Sequence, residues 1–383
     1  QNEKPVILFI CSPSLGILDS WMSVLMTLRF KLPNAHFMFA ATKVGTIDQI
    51  YLNHDLNVLA EKIFDSVVFR SDANVLLETE TFKDAEKLNN SSKINFFHYG
   101  SRIAKRLKLK MLDGVINSIY KSVVLSTYSK KLYKISSLDD SKYVTLFDIS
   151  QLDRPNNREF YNIINSRQNF SILHGTGIAG IRSTIEKRTK KIDVSNTTAY
   201  IFSEKEIPYY EGTFGLTRKQ MKIYGIPKHQ KEWIKELSSK ESTSESGHIF
   251  IISRPTNERL TIDRRKKFLE MIKDVAIKYQ LKIIIKLHPK ENTIKLLKEI
   301  FDSGERNLDW EISNKHPFSL GKNCKFAVCY YSGVPLDLIH LGVPTIELSN
   351  FIGIDKDDNA QSLRNSRGEA VREYRYLDLV LGA

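Results

Sequence analysis

The stretch "IIIKLHPKEN", residues 283–292, carries a hydrophobic run straight into a His-Pro pair. Three isoleucines followed by Lys286 and Leu287 read as a buried β-strand with one polar interruption. Proline has no N–H to give a ladder, so Pro289 ends the pairing and fixes the exit of the chain. His288 is thereby left at the carboxyl end of a strand. An imidazole in that place either closes a strand or faces a cleft, where it donates to a phosphate oxygen or moves a proton. The rest of the chain decides between the two.

Working outward, apolar runs alternate with helical patterns, which argues for α/β architecture with parallel sheets. The first half reads as strands at residues 5–11, 36–42, 66–71, 143–150, 169–175, 197–203 and 221–227. The segment "LSSKESTSESGH", residues 237–248, is Ser-, Glu- and Lys-rich and reads as a linker. Beyond it, strands are expected at residues 249–255, 282–289, 326–333 and 344–349, with a helix over about 261–279. The expected organisation is an N-terminal Rossmann-like domain (1–236), the linker (237–248) and a C-terminal Rossmann-like domain (249–350). A terminal segment (351–383) packs back on the first domain in this reading. Two such halves suggest a GT-B-like arrangement, with parallel sheets facing a central cleft and ligands at the carboxyl ends of the strands.

Composition narrows the class. The chain has 383 residues, 42% hydrophobic and 26% charged, enough for two domains with cores of their own. No run approaches the roughly 18–20 apolar residues that span a bilayer. The opening "QNEKPVILFICSPSLGIL" has a short apolar core and reads as a first buried strand rather than a signal peptide. The three cysteines, Cys11, Cys324 and Cys329, form neither a disulfide framework nor a CxxC metal site. A reducing cytoplasm and no metal or other cofactor are the expectation. The net charge of +13 favours a nucleic acid, an anionic membrane surface or a negatively charged substrate. No RNP, zinc-finger or helix-turn-helix pattern supports the first. Part of the charge lies in "SRIAKRLKLKML", residues 101–112, a helix pattern carrying Arg102, Lys105, Arg106, Lys108 and Lys110. It is either a solvated face or a peripheral contact with an anionic membrane.

The strongest local pattern after the His-Pro pair is "CYYSGVPLDLIHLGVPTIEL", residues 329–348. A strand runs into Ser332, Gly333 and Val334, and Pro335 suits the first turn of a helix, whose N–H groups with the Ser332 hydroxyl form an anion site. "SRPTNERLTIDRR", residues 253–265, places Arg254 beyond another strand, where a guanidinium grips a phosphate bidentately. Glu347, at the end of the last strand, is a candidate for a ribose diol. In the first half, "LFDISQLDRPNNREFYN", residues 146–162, sets Asp148, Asp153, Arg154 and Glu159 beyond a strand. A carboxylate here serves as general base or as nucleophile, with Asp153 ranked first and Glu159 second. "ILHGTGIAGIRS", residues 172–183, ends a strand in His174, Gly175 and Thr176, a candidate phosphate or acceptor contact. "CSPSLGILDS", residues 11–20, adds Ser14 and Gly16 on the acceptor or donor-sugar side.

Taken in order, "LHGTG", "KIYGIPKHQ", "SRPT", "IIIKLHPKEN" and "CYYSGVPLDLIHLGVPTIEL" resemble the GT-B transferases that use cytidine nucleotides. These are the CDP-glycerol glycerophosphotransferases of teichoic acid synthesis and the bacterial sialyl- and Kdo-transferases of capsule and O-antigen synthesis. The similarity covers roughly residues 170–350. It implies that His288 and Ser332 contact the donor phosphate and that Glu347 lies near the nucleotide. The sequence departs from the glycerophosphotransferase pattern in having Tyr-Tyr-Ser-Gly in place of Asp-Tyr-Ser-Ser, and in lacking a lysine after "HGT". Those departures move the expectation to a CMP-activated 2-keto sugar acid. Kdo is favoured over sialic acid because no acidic pair before glycine, as in the bacterial sialyltransferases, is evident.

The expected reaction passes the sugar to a lipid-linked or oligosaccharide acceptor of a bacterial surface glycan. CMP leaves, and His288 with Arg254 neutralises its charge. The alternatives are a CDP-glycerol or polyol-phosphate transferase, an epimerase acting on a UDP-sugar, and a non-catalytic basic module binding glycan or membrane.

Overall fold

Every residue of β1 (Val6–Cys11) is apolar, and all but the first are buried. A strand apolar on both faces belongs in the middle of a parallel sheet covered on each side. That is where it lies. This computed structural model describes residues 4–12, 14–43, 45–70, 76–89, 143–151, 168–174, 194–238, 247–256, 260–289, 291, 293–303, 308–329 and 332–347.

After β1 come α1 (Leu15–Lys31), β2 (His36–Ala41), α2 (Gly45–Tyr51), α3 (His54–Ile63), β3 (Ser66–Arg70), β4 (Leu76–Thr79) and α4 (Phe82–Asn89). Then follow β5 (Tyr143–Phe147), β6 (Gln168–Ile172), β7 (Thr197–Ile201), α5 (Ile207–Phe214), β8 (Met221–Ile223) and α6 (Lys231–Ser238). These strands form an eight-stranded sheet in the order β4-β3-β2-β1-β5-β6-β7-β8. All neighbours pair parallel except β3 and β4, which are antiparallel; β4 is a strand that the sequence reading did not anticipate. The strand order reverses between β1 and β5.

Alternation along β1 separates two cores. Ile7, Phe9 and Cys11 join Trp21, Phe39, Phe64 and Phe82 on one face. Leu8 and Ile10 join Met38, Phe147, Tyr209, Tyr210 and Phe214 on the other. Each such buried side chain contributes about 1.5–3 kcal/mol relative to exposure. The Phe9, Phe39, Phe64 and Phe82 rings also meet one another edge-on, tilted or stacked, with Phe39 and Phe82 centroids 4.9 Å apart.

The second sheet is built from β9 (His248–Ile252), β10 (Ile283–Lys286), β11 (Trp310–Ile312), β12 (Cys324–Cys329) and β13 (Thr345–Glu347). Its helices are α7 (Ile262–Tyr279), α8 (Ile294–Phe301), α9 (Pro317–Gly321) and α10 (Val334–His340). The order is β11-β10-β9-β12-β13, every pair parallel, with the reversal between β9 and β12. The strand leading to His288 is therefore not next to the one leading to Ser332, although the two are consecutive among the expected strands. β11 intervenes in the chain and β9 intervenes in the sheet.

The carboxyl edges of the two sheets meet. His54 at the start of α3 donates its backbone N–H to Asn314 O, just past β11, at 3.2 Å. The His316 backbone N–H donates to Asp55 Oδ2 at 2.7 Å. Ser319 donates to Leu237 O at 2.9 Å, and Phe318 enters the first sheet's core beside Trp233 and Leu237. The α/β architecture with two Rossmann-like sheets facing one another is thus the GT-B-like arrangement expected. Leu237 lies in the last turn of α6 and His248 opens β9, so the ends of the expected linker lie in regular elements. Residues 101–112 and 351–383 lie outside the described residues. Among the described residues, no helix is long and apolar enough to cross a membrane.

Candidate functional site

In an open parallel sheet the loops at an order reversal diverge to opposite faces and leave a crevice at the carboxyl edge. In the first sheet that crevice lies between the ends of β1 and β5. Asp148 follows β5 directly and is fully buried. Its Oδ1 accepts from the Ser150 backbone N–H at 2.8 Å, and its Oδ2 accepts from the His174 backbone N–H at 2.9 Å. Oδ2 also takes the hydrogen bond from His174 Nδ1. Burial pushes the Asp148 carboxyl up, but the charge and hydrogen bonds of His174 outweigh it and hold the group below the usual carboxylate range. Asp148 fixes the ring of His174.

His174, past the end of β6, keeps 26% of its side chain exposed. With Nδ1 turned to the carboxylate, Nε2 points away from Asp148. The Gln151 amide lies 3.3 Å from Nδ1 and takes a hydrogen bond from Ser12 Oγ at 3.2 Å. Gly16, in the first turn of α1, lies against the ring: a Cβ there would stand 3.6 Å from His174 Cδ2 and 3.7 Å from Ser14 Oγ. Trp21 anchors α1 to this corner by donating to Phe147 O at 3.2 Å. The structure thus brings together Ser14, Gly16, Asp148 and His174. The sequence reading set Asp148 among carboxylates facing the ligand, whereas its side chain is fully buried against the Ser150 N–H and His174. Asp153, Arg154, Glu159, Gly175 and Thr176 lie outside the described residues.

In the second sheet the reversal falls between β9 and β12. Ser253 and Arg254 leave β9, and Ser332 and Gly333 follow β12, whose Cys329 pairs with Ile252. His288 lies beyond β10, on the other side of β9. Ser332 is buried, and its Oγ accepts from the Val334 N–H at 3.3 Å. The expected anion site at this helix start is thereby altered, since the serine already satisfies one of the N–H groups and α10 has only seven residues. Gly333 has φ −84°, an ordinary right-handed value that any residue adopts. Glu347 pairs with Cys329 at the end of β13. Arg254 and His288 are each half-buried.

A buried carboxylate that the sequence reading passed over ties these loops. Glu291, three residues after His288, has no side-chain exposure and pairs with Arg265 of α7, which is 2% exposed. Burial pushes the Arg265 guanidinium down to about 10, so it remains charged at neutral pH. A signal was present in α7: Arg265 falls on the same stripe as the buried Phe268, Leu269, Ile272 and Ala276. A charge on an apolar stripe needs a buried partner.

A second buried network joins the sheets. Lys228 donates to Asp337 Oδ2 at 2.7 Å and faces Asp19 Oδ2 at 3.6 Å. His229 Nε2 meets Asp337 Oδ1 at 2.8 Å, and His316 Nε2 meets Asp19 Oδ1 at 2.8 Å. His340 stacks on His229 with centroids 4.5 Å apart. Among the described residues, no group of three or more His, Cys, Asp or Glu side chains could hold a metal ion.

No protein-family model and no curated protein matches the chain. Among solved structures it is similar to a glycosyl transferase family 9 protein from Veillonella parvula, at 11% identity over 95% of this chain and 86% of that one, with a TM-score of 0.38. It is similar to a putative UDP-N-acetylglucosamine 2-epimerase from Listeria monocytogenes, at 9% identity over 99% and 94% of the two chains, TM-score 0.48. It is also similar to the wall teichoic acid polymerase TagF, at 10% identity over 95% and 74%, TM-score 0.47.

Proposed function

We propose that the chain is a glycosyltransferase that moves a sugar from a nucleotide-activated donor to a hydroxyl acceptor. The observation that carries this reading is the Asp148–His174 pair at the reversal point of one sheet, in a chain whose second sheet has a reversal point of its own. A base on one edge and a phosphate site on the other suit a displacement in which proton removal and leaving-group stabilisation occur on opposite sides of the sugar.

In this mechanism His174 Nε2 takes the proton of the acceptor hydroxyl as its oxygen bonds to the anomeric carbon. The bond from that carbon to the phosphate oxygen breaks, and the nucleotide leaves with the electron pair. Asp148 stabilises the imidazolium that forms. Arg254, His288 and the Ser332 turn receive the charge growing on the phosphate. Asp148 is fully buried and so is not the nucleophile, and a single displacement inverts the anomeric centre.

The donor we favour is a CMP-activated 2-keto sugar acid, with Kdo ahead of sialic acid, on the sequence pattern of residues 170–350. The acceptor in this reading is a lipid-linked or oligosaccharide precursor of a bacterial surface glycan. The reaction is cytoplasmic, and residues 101–112 supply a peripheral contact with anionic lipid. No step calls for a metal, so a chelator should leave the rate unchanged.

The test is incubation of the full chain with acceptor glycan and, separately, CMP-Kdo, CMP-sialic acid, CDP-glycerol and UDP-N-acetylglucosamine. CMP should appear only with a CMP-sugar. CMP release from CDP-glycerol alone overturns sugar transfer, and stabilisation by UDP but not CMP points to the epimerase chemistry.

A further inference from the structure

We infer that Glu291, locked to Arg265 beneath the carboxyl edge of the second sheet, is the positioning residue of the donor phosphate site, holding the loops after β9 and β10 in one fixed relation. The inference rests on the reading above, in which Arg254 and His288 meet the donor phosphate.

The geometry is that of a clamp. Glu291 Oε1 accepts from Ser253 Oγ at 2.8 Å, on the β9 loop, and from Thr293 Oγ1 at 2.6 Å. Its Oε2 accepts from the His288 backbone N–H at 3.1 Å, and its own N–H donates to His288 O at 2.8 Å, closing a turn on the β10 loop. Arg265 Nη1 reaches the Arg254 carbonyl at 2.6 Å, while Nη2 contacts Ser253 Oγ and Thr293 Oγ1, each at 2.8 Å. One buried ion pair therefore holds the backbone of Arg254 and the backbone of His288 at the same time. Neither Glu291 nor Arg265 reaches the cleft, since both side chains are buried.

A core that needed only stability would do as well with apolar groups, because a buried ion pair is often no more stabilising than hydrophobic side chains of similar volume. What apolar groups cannot supply is a fixed placement of two loop backbones. Phosphate recognition depends on such placement, because a misplacement of about 1 Å in the reacting geometry costs on the order of 10²-fold in rate. The effect should fall on the donor alone, since Ser12, Gln151 and His174 belong to the other sheet.

The experiment compares the wild-type chain with the double variant Arg265→Met/Glu291→Leu, which removes both charges together and leaves none stranded. Thermal stabilisation by CMP and transfer kinetics with varied donor and acceptor are the readouts. The expected result is a folded protein whose kcat/KM for donor falls at least 30-fold, whose acceptor KM stays within twofold, and whose stabilisation by millimolar CMP is lost. A folded double variant with donor kinetics and CMP stabilisation like wild type overturns the inference. If the double variant does not fold, Ser253→Ala is read instead. It removes one hydroxyl from the clamp and should lower donor kcat/KM about fivefold with acceptor KM unchanged, and no change overturns the inference. Failure of the wider reading looks different: wild type itself would show no CMP stabilisation and no transfer.

Discussion

Lys228 of the first sheet's last loop and Asp337 of α10 meet at 2.7 Å, and both side chains are almost wholly buried. They join the two halves of the molecule where the carboxyl edges come together. Asp337 also holds His229, and Lys228 also faces Asp19, so each charge has a second partner. Asp337→Asn leaves the Lys228 ammonium short of its main counter-ion. Breaking a buried pair costs about 3–5 kcal/mol, and the lower end is expected because Asp19 remains. Urea unfolding measures it, and a loss below about 1 kcal/mol would mean that the pair is solvated.

The same pair makes a statement about pH. Burial raises the Asp337 carboxyl, but Lys228 and His229 outweigh it, so the folded group lies below its ordinary range. Its share of stability is present above the unfolded value and is lost as pH falls through the folded one. Burial lowers the Lys228 ammonium, but Asp337 and Asp19 outweigh it and raise the group. Its share is present below the unfolded value and is lost as pH rises through the folded one. Both windows lie outside neutrality, so neither the Asp337 nor the Lys228 titration should give the stability gap between wild type and Asp337→Asn a slope between about pH 5 and pH 9. Unfolding midpoints at pH 5, 7 and 9 test this, and a gap that closes within that range would assign the contact to a group titrating there.

His174→Ala should lower kcat by about 10²–10⁴, the usual contribution of a general base, with little change in donor KM. Asp148→Asn keeps the volume but replaces a carboxylate with an amide that also donates, and it frees the imidazole to take the other tautomer. A loss of at least tenfold in kcat is expected, with the fold intact by circular dichroism. Full activity of both variants would remove the pair from the chemistry.

The sheet order could not be read from the sequence, although the strands largely could. Runs such as "VILFIC" and "IIIK" announce themselves by composition, and their residue ranges agree with β1 and β10 to within a few positions. Whether β12 adds beside β10 or beside β9 depends on long-range pairing that periodicity does not encode. That single fact puts Ser332 and Gly333 beyond the strand next to β9, with β9 between them and His288. The same limit applies to Asp148. Five acidic or basic residues between 148 and 159 look equivalent in sequence, and the burial of Asp148 against His174 depends on a contact 26 residues away. Glu291 was in plain view, three residues beyond His288, but its partner lies 26 residues away on a helix.

Gly321 sits at the end of α9, where α10 crosses it. A Cβ added there would stand 2.3 Å from Leu338 Cδ2, and Leu338 is fully buried with little room to withdraw. Gly321→Ala should therefore destabilise by about 1–3 kcal/mol through overpacking, despite alanine's better helix propensity. Thermal denaturation checks the sign. Leu338→Val combined with Gly321→Ala should recover part of the loss, and a stabilised single variant would mean that the helices separate freely.

Lys286, the polar interruption in "IIIKLHPKEN", ends β10 with its ammonium donating to Lys315 O at 2.6 Å. Burial pushes it down to about 8, against a smaller upward pull from Asp55 and Asp19. For a base, a lowered folded value means that the charged form is disfavoured by folding. The penalty is complete below pH about 8 and is relieved as pH rises towards the ordinary lysine value of about 10.4. Wild-type stability should therefore climb over that interval. Lys286→Met, which carries no charge, should be more stable than wild type at pH 7 by on the order of 2 kcal/mol, with the gap closing by about pH 10. Urea unfolding of the two proteins at pH 7, 8.5 and 10 decides it. A variant less stable than wild type at pH 7 would show that the hydrogen bond to Lys315 O outweighs the burial of the charge.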